Sequence, residues 1–412
     1  MKLHTLILFL LGSSAATAAD WPQFRGPNSD GNYTGPALVT EWGTDKNVAW
    51  KTPIPGLGWS SPIVSKGKVY LTTAVEQSGN YSLQAVCLDA KSGAVDWTKE
   101  VFVEEIKTAP KPHSKNSHAS STPITDGEHL FVHFGHMGTA ALDLKGKIVW
   151  KNEKLKYRPV HGNGGSPIFA GENLVFNVDG ADQQFVVALK KKTGEVAWKT
   201  DRHSKAAKTF SFSTPLLLKT ANREQIISSA SGFVASYDPK TGSELWRANY
   251  PGPNGYSVIP QPVAGPGLVF VSTSYDSPFL LAIKPEGKGD ITKSNLPWTL
   301  KKGAPHTPTP LLVGDELYMV ADNGNVTCVD AKTGTQHWTE RLAGGYSSSP
   351  IHADGKIYIT SETGTGFVLA AGKEYKEISR SELKERTFAT FAASDGALYV
   401  RTETQLYKFA GK

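Results

Sequence analysis

The stretch VDAKTGTQHW, residues 329–338, reads as a strand, a tight turn and a second strand that brings in an indole. It recurs: LDAKSGAVDW ends at Trp97, LDLKGKIVW at Trp150, LKKKTGEVAW at Trp198 and YDPKTGSELW at Trp246. Asp89, Asp238 and Asp330 each stand eight residues before their tryptophan. Gly93, Gly194, Gly242 and Gly334 stand four residues before theirs, where a tight turn needs the positive φ that glycine adopts cheaply. Aligned over the whole chain, Trp50, Trp97, Trp150, Trp198, Trp246, Trp298 and Trp338 recur every 40 to 53 residues, with Ile378 in the eighth place. That is the period of propeller blades. One buried indole per repeat covers roughly 150–250 Å², so these tryptophans read as wedges that dock each blade on its neighbour.

A second marker precedes each unit: SSP at Pro62, STP at Pro123, GSP at Pro167, STP at Pro215, QP at Pro262, TP at Pro310, SSP at Pro350, and Phe391 in the last. Between markers each unit gives four strands separated by turn residues, with aromatic or β-branched second strands such as KVYLTT, HLFVHF and ELYMVA. The last unit, ending QLYKFAGK, has only three. NVAWKTP, around Trp50, is a lone fourth strand ahead of the first complete unit. The expectation is an all-β, eight-bladed propeller of four-stranded antiparallel blades over residues 47–412, closed by pairing of its N- and C-terminal segments so that no sheet edge is left open. Residues 20–46, with Trp21, Phe24 and Trp42 as anchors, form an extension that packs on the outside of a blade or caps one face.

The 412 residues include 10 Trp, 14 Tyr, 17 Phe, 40 Gly and 25 Pro, with 20% charged, which suits short strands and turns and excludes a helical or disordered chain. Residues 1–19 read as a cleaved signal peptide: Lys2, an apolar run from Leu3 to Leu11 and a small-residue exit at Ala16-Thr17-Ala18. The run is too short to span a bilayer. The first cysteine is Cys87, so the usual lipid-anchor site is missing, and a periplasmic or secreted monomer without a transmembrane segment is expected. Cys87 and Cys328 share one repeat position, filled elsewhere by Ala141, Ala188, Ser236 and Ala282, which marks a small core slot rather than a disulfide. The net charge of +6, reduced to +5 without Lys2, is scattered over turns and gives no nucleic-acid footprint.

The D-x-x-x-G-x-x-x-W pattern resembles the tryptophan-docking repeat of the pyrroloquinoline quinone (PQQ) type propellers, over residues 47 to 412. That superfamily includes the quinoprotein alcohol dehydrogenases and BamB, the propeller subunit of the outer-membrane barrel assembly machine. WPQFRGP, KNSHASSTP, FGHMGTA, HGNGGSP, FSFSTP and GAPHTPTP look like a family of exported PQQ-like proteins of unassigned function. The resemblance implies a ligand or partner site on the face around the central channel. Neither the adjacent cysteine pair of many quinoprotein dehydrogenases nor a CxxCH haem motif is present.

The loops expected on that face carry the candidate ligand-binding residues Trp59, Asn116, His118, His136, His161, Asn163, Phe212, Tyr256, His306, Tyr346 and Arg386. The connection from Trp97 to Pro123 is unusually long and holds KTAPKPHSKNSHASS, a candidate lid or docking loop. His133 and His136 would point to opposite faces of a strand, so one ion cannot take both unless a turn intervenes between them. A metal set of His118, His136, His161 and His306, and an anion site of Arg386 with Lys115, are the other candidates. Three functions stay open: a binding or scaffold protein for a small molecule or an envelope protein, with no cofactor; a dehydrogenase using PQQ with Ca²⁺; and a BamB-like assembly factor.

Overall fold

The computed structural model describes residues 20–252, 255–276 and 278–411; the export signal expected at 1–19 lies outside them. Its strands fall into eight four-stranded antiparallel sheets, the blades of a propeller, two of which gain a short fifth strand in parallel. In chain order, blade 1 comprises Ile63–Ser65, Lys68–Gln77, Asn80–Asp89 and Val95–Glu105. Blades 2 to 7 begin at Ile124, Ile168, Leu216, Val263, Leu311 and Ile351. Blade 8 joins the two ends of the described chain: Ala392–Ser394, Ala397–Arg401 and Gln405–Ala410 receive Val48–Pro53 as their outer strand, with Trp50 opposite Lys408 and Pro53 opposite Gln405. Inner strands lie between neighbouring blades and are dry on both faces, which is why LVFVS (Leu268–Ser272) is buried throughout instead of alternating. The core is accordingly a series of clusters, nearly all shared by two successive blades.

Each repeated tryptophan reaches the next blade. The indole N–H groups of Trp50, Trp97, Trp150, Trp198, Trp246, Trp298 and Trp338 donate to the carbonyls of Ala90, Leu144, Lys191, Pro239, Pro285, Lys332 and Gly372 at 2.7–3.1 Å. Those carbonyls lie in the outer turn of the following blade. There the glycines do two things. Gly93, Gly194, Gly242 and Gly334 have φ near +70 to +75°, and a Cβ on any of them would come within 3.0 Å of the preceding blade's indole. The aspartates set the same turn, since Asp330 Oδ1 accepts from the backbone N–H of Lys332 and Thr333. Five of the seven indoles are buried; Trp97 and Trp298 are half-buried.

The eighth junction works differently. Blade 8 has no outer turn, because its third and fourth strands come from opposite ends of the chain and meet where Ala410 N–H donates to Asn47 O at 3.0 Å. The indole's usual acceptor is therefore lacking there, and blade 7 carries Ile378, 40% exposed, in the tryptophan position. The extension supplies the wedge. Trp42, 2% exposed, sits among Tyr358, Phe391 and Phe409 with ring centroids 5.7–6.4 Å away. Its backbone N–H donates to the Ser381 hydroxyl, and Gly366 lacks the side chain that would collide with its ring. The largest core cluster consequently joins blades 7, 8 and 1 to Trp21, Tyr33, Leu38 and Trp42.

Residues 20–33 close one end of the channel. Trp21 pairs with Val64 of blade 1, Pro22 O accepts from Thr125 of blade 2, and Asn32–Tyr33 runs parallel to His352–Ala353 of blade 7. The Tyr33 hydroxyl reaches Gly396 of blade 8. Of the two placements expected for the extension, capping a face is the one found, with the Trp42 wedge in addition. The strand Gly289–Asp290 covers the outer edge of blade 4 in the same protective sense. Cys87 and Cys328 are free and buried, each thiol pushed up to about 12 first by burial.

Replacing the wedge should be costly where the chain position says little: Trp42→Ala is expected to lower stability by about 3–5 kcal/mol and Ile378→Ala by less than about 0.5 kcal/mol, read by urea unfolding. A second expectation concerns His133, fully buried against Phe176 with Nδ1 2.8 Å from Thr139 Oγ1. Burial, then His136, holds its pKa down at about 3. The depressed folded-state value means the unfolded chain binds the proton first. Stability is complete above the ordinary histidine range and falls by up to about 1.4 kcal/mol per pH unit as pH drops toward 3. His133→Asn should flatten that dependence in urea titrations at pH 7, 6 and 5.

Candidate functional site

The marker hydroxyls build the site. The residue before each marker proline, or before Phe391 in the last unit, bonds its counterpart in the next blade: Ser61 N–H to Thr122 Oγ1, Thr122 to Ser166, Ser166 to Thr214, Gln261 to Thr309, Thr309 to Ser349, Ser349 to Thr390, and Thr390 back to Ser61, at 2.9–3.2 Å. Between Thr214 and Gln261 the link is made by Gln261 Nε2 on Pro215 O at 3.0 Å. All of this inner belt except Gln261 lines a cavity of about 340 Å³ at the channel mouth. Two residues earlier, extended chain returns to the same face, so the positions of Trp59, Phe212 and Phe388, of Ser120, Thr307 and Ser347, and of Gly164 and Ile259 line it too.

The cavity is a cup with a floor and a crossbar. Phe24 of the channel plug is the floor. The crossbar comes from the long connection after blade 1. Part of that connection is strand, since Val95–Glu105 runs beyond the usual length, which shortens the loop expected from sequence. The remainder carries His113, Lys115 and Asn116 along the cup. His113 N–H and Asn116 Nδ2 both bond His161 O, at 3.1 and 2.8 Å, and Lys115 Nζ reaches Glu362 of blade 7 at 2.7 Å. Burial pulls the Lys115 pKa down, but the Glu362 carboxylate outweighs it and the amine is held above its usual range.

One wall is a succession of rings in contact: His113, His161, Phe210, Tyr256, Tyr275 and His306, with successive centroids 5.0–6.4 Å apart. Lys208 stands 4.0 Å from the Tyr256 ring centre and donates to its hydroxyl at 2.8 Å, which raises the lysine pKa. Opposite, Trp59 and Phe388 lie 4.6 Å apart under the Arg386 guanidinium. The His161 pKa is lowered by burial and then by His113 and Lys208, so the ring favours its neutral form.

Of the expected site residues, Trp59, Asn116, His161, Phe212 and Tyr256 line the cup. Arg386 packs over two lining rings but pairs with Glu403 at 3.1 Å, and Lys115 with Glu362, so the two do not form the expected anion pair. Tyr346 is corrected: it is fully buried between blades 6 and 7, its hydroxyl on Ala343 O at 2.8 Å. Asn163 braces the wall behind, donating to Ser121 Oγ at 2.6 Å. The four-histidine metal set also falls. His118 and His136 meet Glu104 instead, at 3.5 and 2.6 Å, while His161 faces His113 and His306 faces Tyr275. Among the described residues no group of three or more His, Cys, Asp or Glu is placed to hold a metal ion. The sequence reading missed Lys208, Tyr275, Phe388 and the plug's Phe24 as lining residues. Phe388 could have been found by stepping two residues back from the marker position Thr390.

The family model described as outer membrane protein assembly factor BamB matches residues 32–158, 113–330 and 293–374. The chain belongs to this family. BamB of Burkholderia pseudomallei is 30% identical over 118 residues, 28% of this chain and 30% of that protein. BamB of Shewanella oneidensis is 25% identical over 220 residues, 49% of this chain and 51% of that protein, so the chain spans about half or less of these relatives' length. Methanol dehydrogenase [cytochrome c] subunit 1 of Methylobacterium organophilum is 29% identical over 168 residues, 34% of this chain and 24% of that protein. Among solved structures, BamB of Moraxella catarrhalis has a TM-score of 0.61 at 13% identity, covering 88% of this chain and 98% of that one, a likeness of fold. No helix among the described residues is long and apolar enough to cross a membrane.

Glu362→Gln tests the crossbar. The Lys115 pair is partly exposed, so stability should change by less than about 1 kcal/mol, whereas amide hydrogen exchange of residues 106–116 should quicken and that of the blades should not.

Proposed function

We propose that the chain is an exported, BamB-like binding protein whose cup at the channel mouth receives a small ligand in the cell envelope. The carrying observation is the enclosure: a channel shut on one side by Phe24 and bridged on the other by Lys115 and Glu362 leaves a cavity lined by rings and polar groups. Export is supported by the leader-like residues 1–19 and by the family's description as an outer membrane assembly factor. The assembly role itself rests on that description, and a protein partner would meet the same loop face.

The dehydrogenase reading fits less well. Aromatic walls and lysines suit a flat cofactor such as PQQ, yet the carboxylates a calcium ion would need are engaged elsewhere. Glu362 holds Lys115 and Ser347, and Asp322 accepts from the backbone N–H of His306 and Thr307 and from the Thr307 hydroxyl.

Native mass spectrometry of the protein purified from envelope extract tests the binding reading. The expected result is a discrete non-covalent adduct that is lost on denaturation and absent from the folded Phe210→Ala/Tyr256→Ala variant. An adduct-free native protein, or one retained unchanged in the variant, would count against the cup as the site. An adduct of PQQ with calcium and dye-linked alcohol oxidation would shift the reading to the dehydrogenase.

A further inference from the structure

The chemistry of the cup is one-sided toward hydrogen-bond donors. A hydroxyl has one proton to give and two lone pairs to receive. In the marker belt the hydroxyls of Ser61, Thr122, Ser166, Thr214, Thr309, Ser349 and Thr390 each accept a backbone N–H from the preceding blade. None of the seven donates to a protein atom among the described residues, and all of them line the cavity. Their O–H protons are therefore left for whatever occupies the cup. The Trp59 indole N–H, buried in the same wall, also lacks an acceptor.

Charge runs the same way. Lys115 and Lys208 line the cup and, among the described residues, no Asp or Glu does. One residue beyond the Phe24 floor, Arg25 is wholly buried and its guanidinium donates only to carbonyl oxygens, of Asp30, Pro310 and Pro350, at 2.8, 2.9 and 3.2 Å. Pro310 and Pro350 directly follow Thr309 and Ser349 of the belt. This positive charge, tempered by the Asp30 carboxylate but not ion-paired with it, lies beneath the ring of donors. The nearby carboxylates are committed: Glu362 to Lys115, and Asp322 to the Thr307 turn. Asp276 acts on Lys208 more weakly than does the Tyr256 hydroxyl. Above the belt the walls are flat rings, Trp59 with Phe388 on one side and Phe210 with Tyr256 on the other.

We infer that the cup binds a small planar organic anion, a carboxylate on one or two conjugated rings, with the anionic head against the belt hydroxyls and the ring between the aromatic walls, and with no metal ion bridging the two. This rests on the cup being a ligand site. Each belt hydroxyl keeps its proton and one lone pair, and among the described residues no carboxylate lines the cup to receive the N–H or O–H groups of a neutral polar ligand. Uncommitted donors over a buried cation instead favour a ligand that only accepts, as charge-assisted hydrogen bonds do.

Calorimetric titration with 2-naphthoate and its neutral isostere 2-naphthamide tests this. The expected result is binding of naphthoate at least about tenfold tighter than naphthamide. That preference should collapse toward parity in Thr309→Val/Ser349→Ala, and Phe210→Ala should weaken both probes alike. Equal binding of the two probes, or an unchanged preference in the hydroxyl variant, overturns the anion assignment while leaving the cup as a binding site. If neither probe binds, the anion assignment fails, and the envelope-extract adduct alone decides whether the cup is a site. Should the hydroxyl variant not fold, competition in the unaltered protein decides: benzoate must displace naphthoate and benzamide must not, and equal displacement overturns the assignment.

Discussion

An indole from one blade lies on a glycine of the next and gives its N–H to a carbonyl of the same turn. Everything else in this ring presupposes that contact. Burying an indole is worth roughly 4–6 kcal/mol by area before ordering costs, and the turn that receives it must lack a Cβ and must leave a carbonyl unpaired within its own blade. The D-x-x-x-G-x-x-x-W repeat meets both demands at once, because its aspartate folds the turn, its glycine clears the space, and its tryptophan passes the same demand to the following blade. The motif is written in one repeat, but its parts act in two.

A chain of such contacts has to end where the polypeptide ends. Blade 8 is assembled from both termini and so has no outer turn to receive an indole, and the repeat loses its tryptophan at Ile378 just there. Trp42 fills the junction from the other direction, and the residues before it cross the channel to reach blades 1, 2, 6, 7 and 8. Closure of the ring and closure of the channel are the work of one segment. The cup inherits its floor from that segment and its belt from the second set of blade-to-blade bonds, so the site belongs to the geometry of closure and not to any single loop.

The ring itself was legible from sequence because period and residue type coincide: one indole, one turn glycine and one S/T-P marker in nearly every repeat. Less legible were features made by residues far apart in the chain. The glycines were read as turn formers, while their second role depends on a tryptophan about 40 residues earlier, as with Gly93 and Trp50. Tyr346 stood in a rim loop by position yet turned into the core, because loop position does not fix side-chain direction. The four histidines shared a face but not a centre, since Glu104, brought in by an overlong strand, draws two of them aside. The crossbar's latch on Glu362 pairs residues on opposite sides of the mouth, which no local pattern encodes.

The most direct test of this account is amide hydrogen exchange on the chain without residues 20–46. If the extension supplies the eighth wedge, protection should fall first and most in blades 7 and 8 and in the strand Val48–Pro53, with blades 3 to 5 holding their indole contacts. Protection unchanged in blades 7 and 8, or lost evenly round the ring, would contradict it.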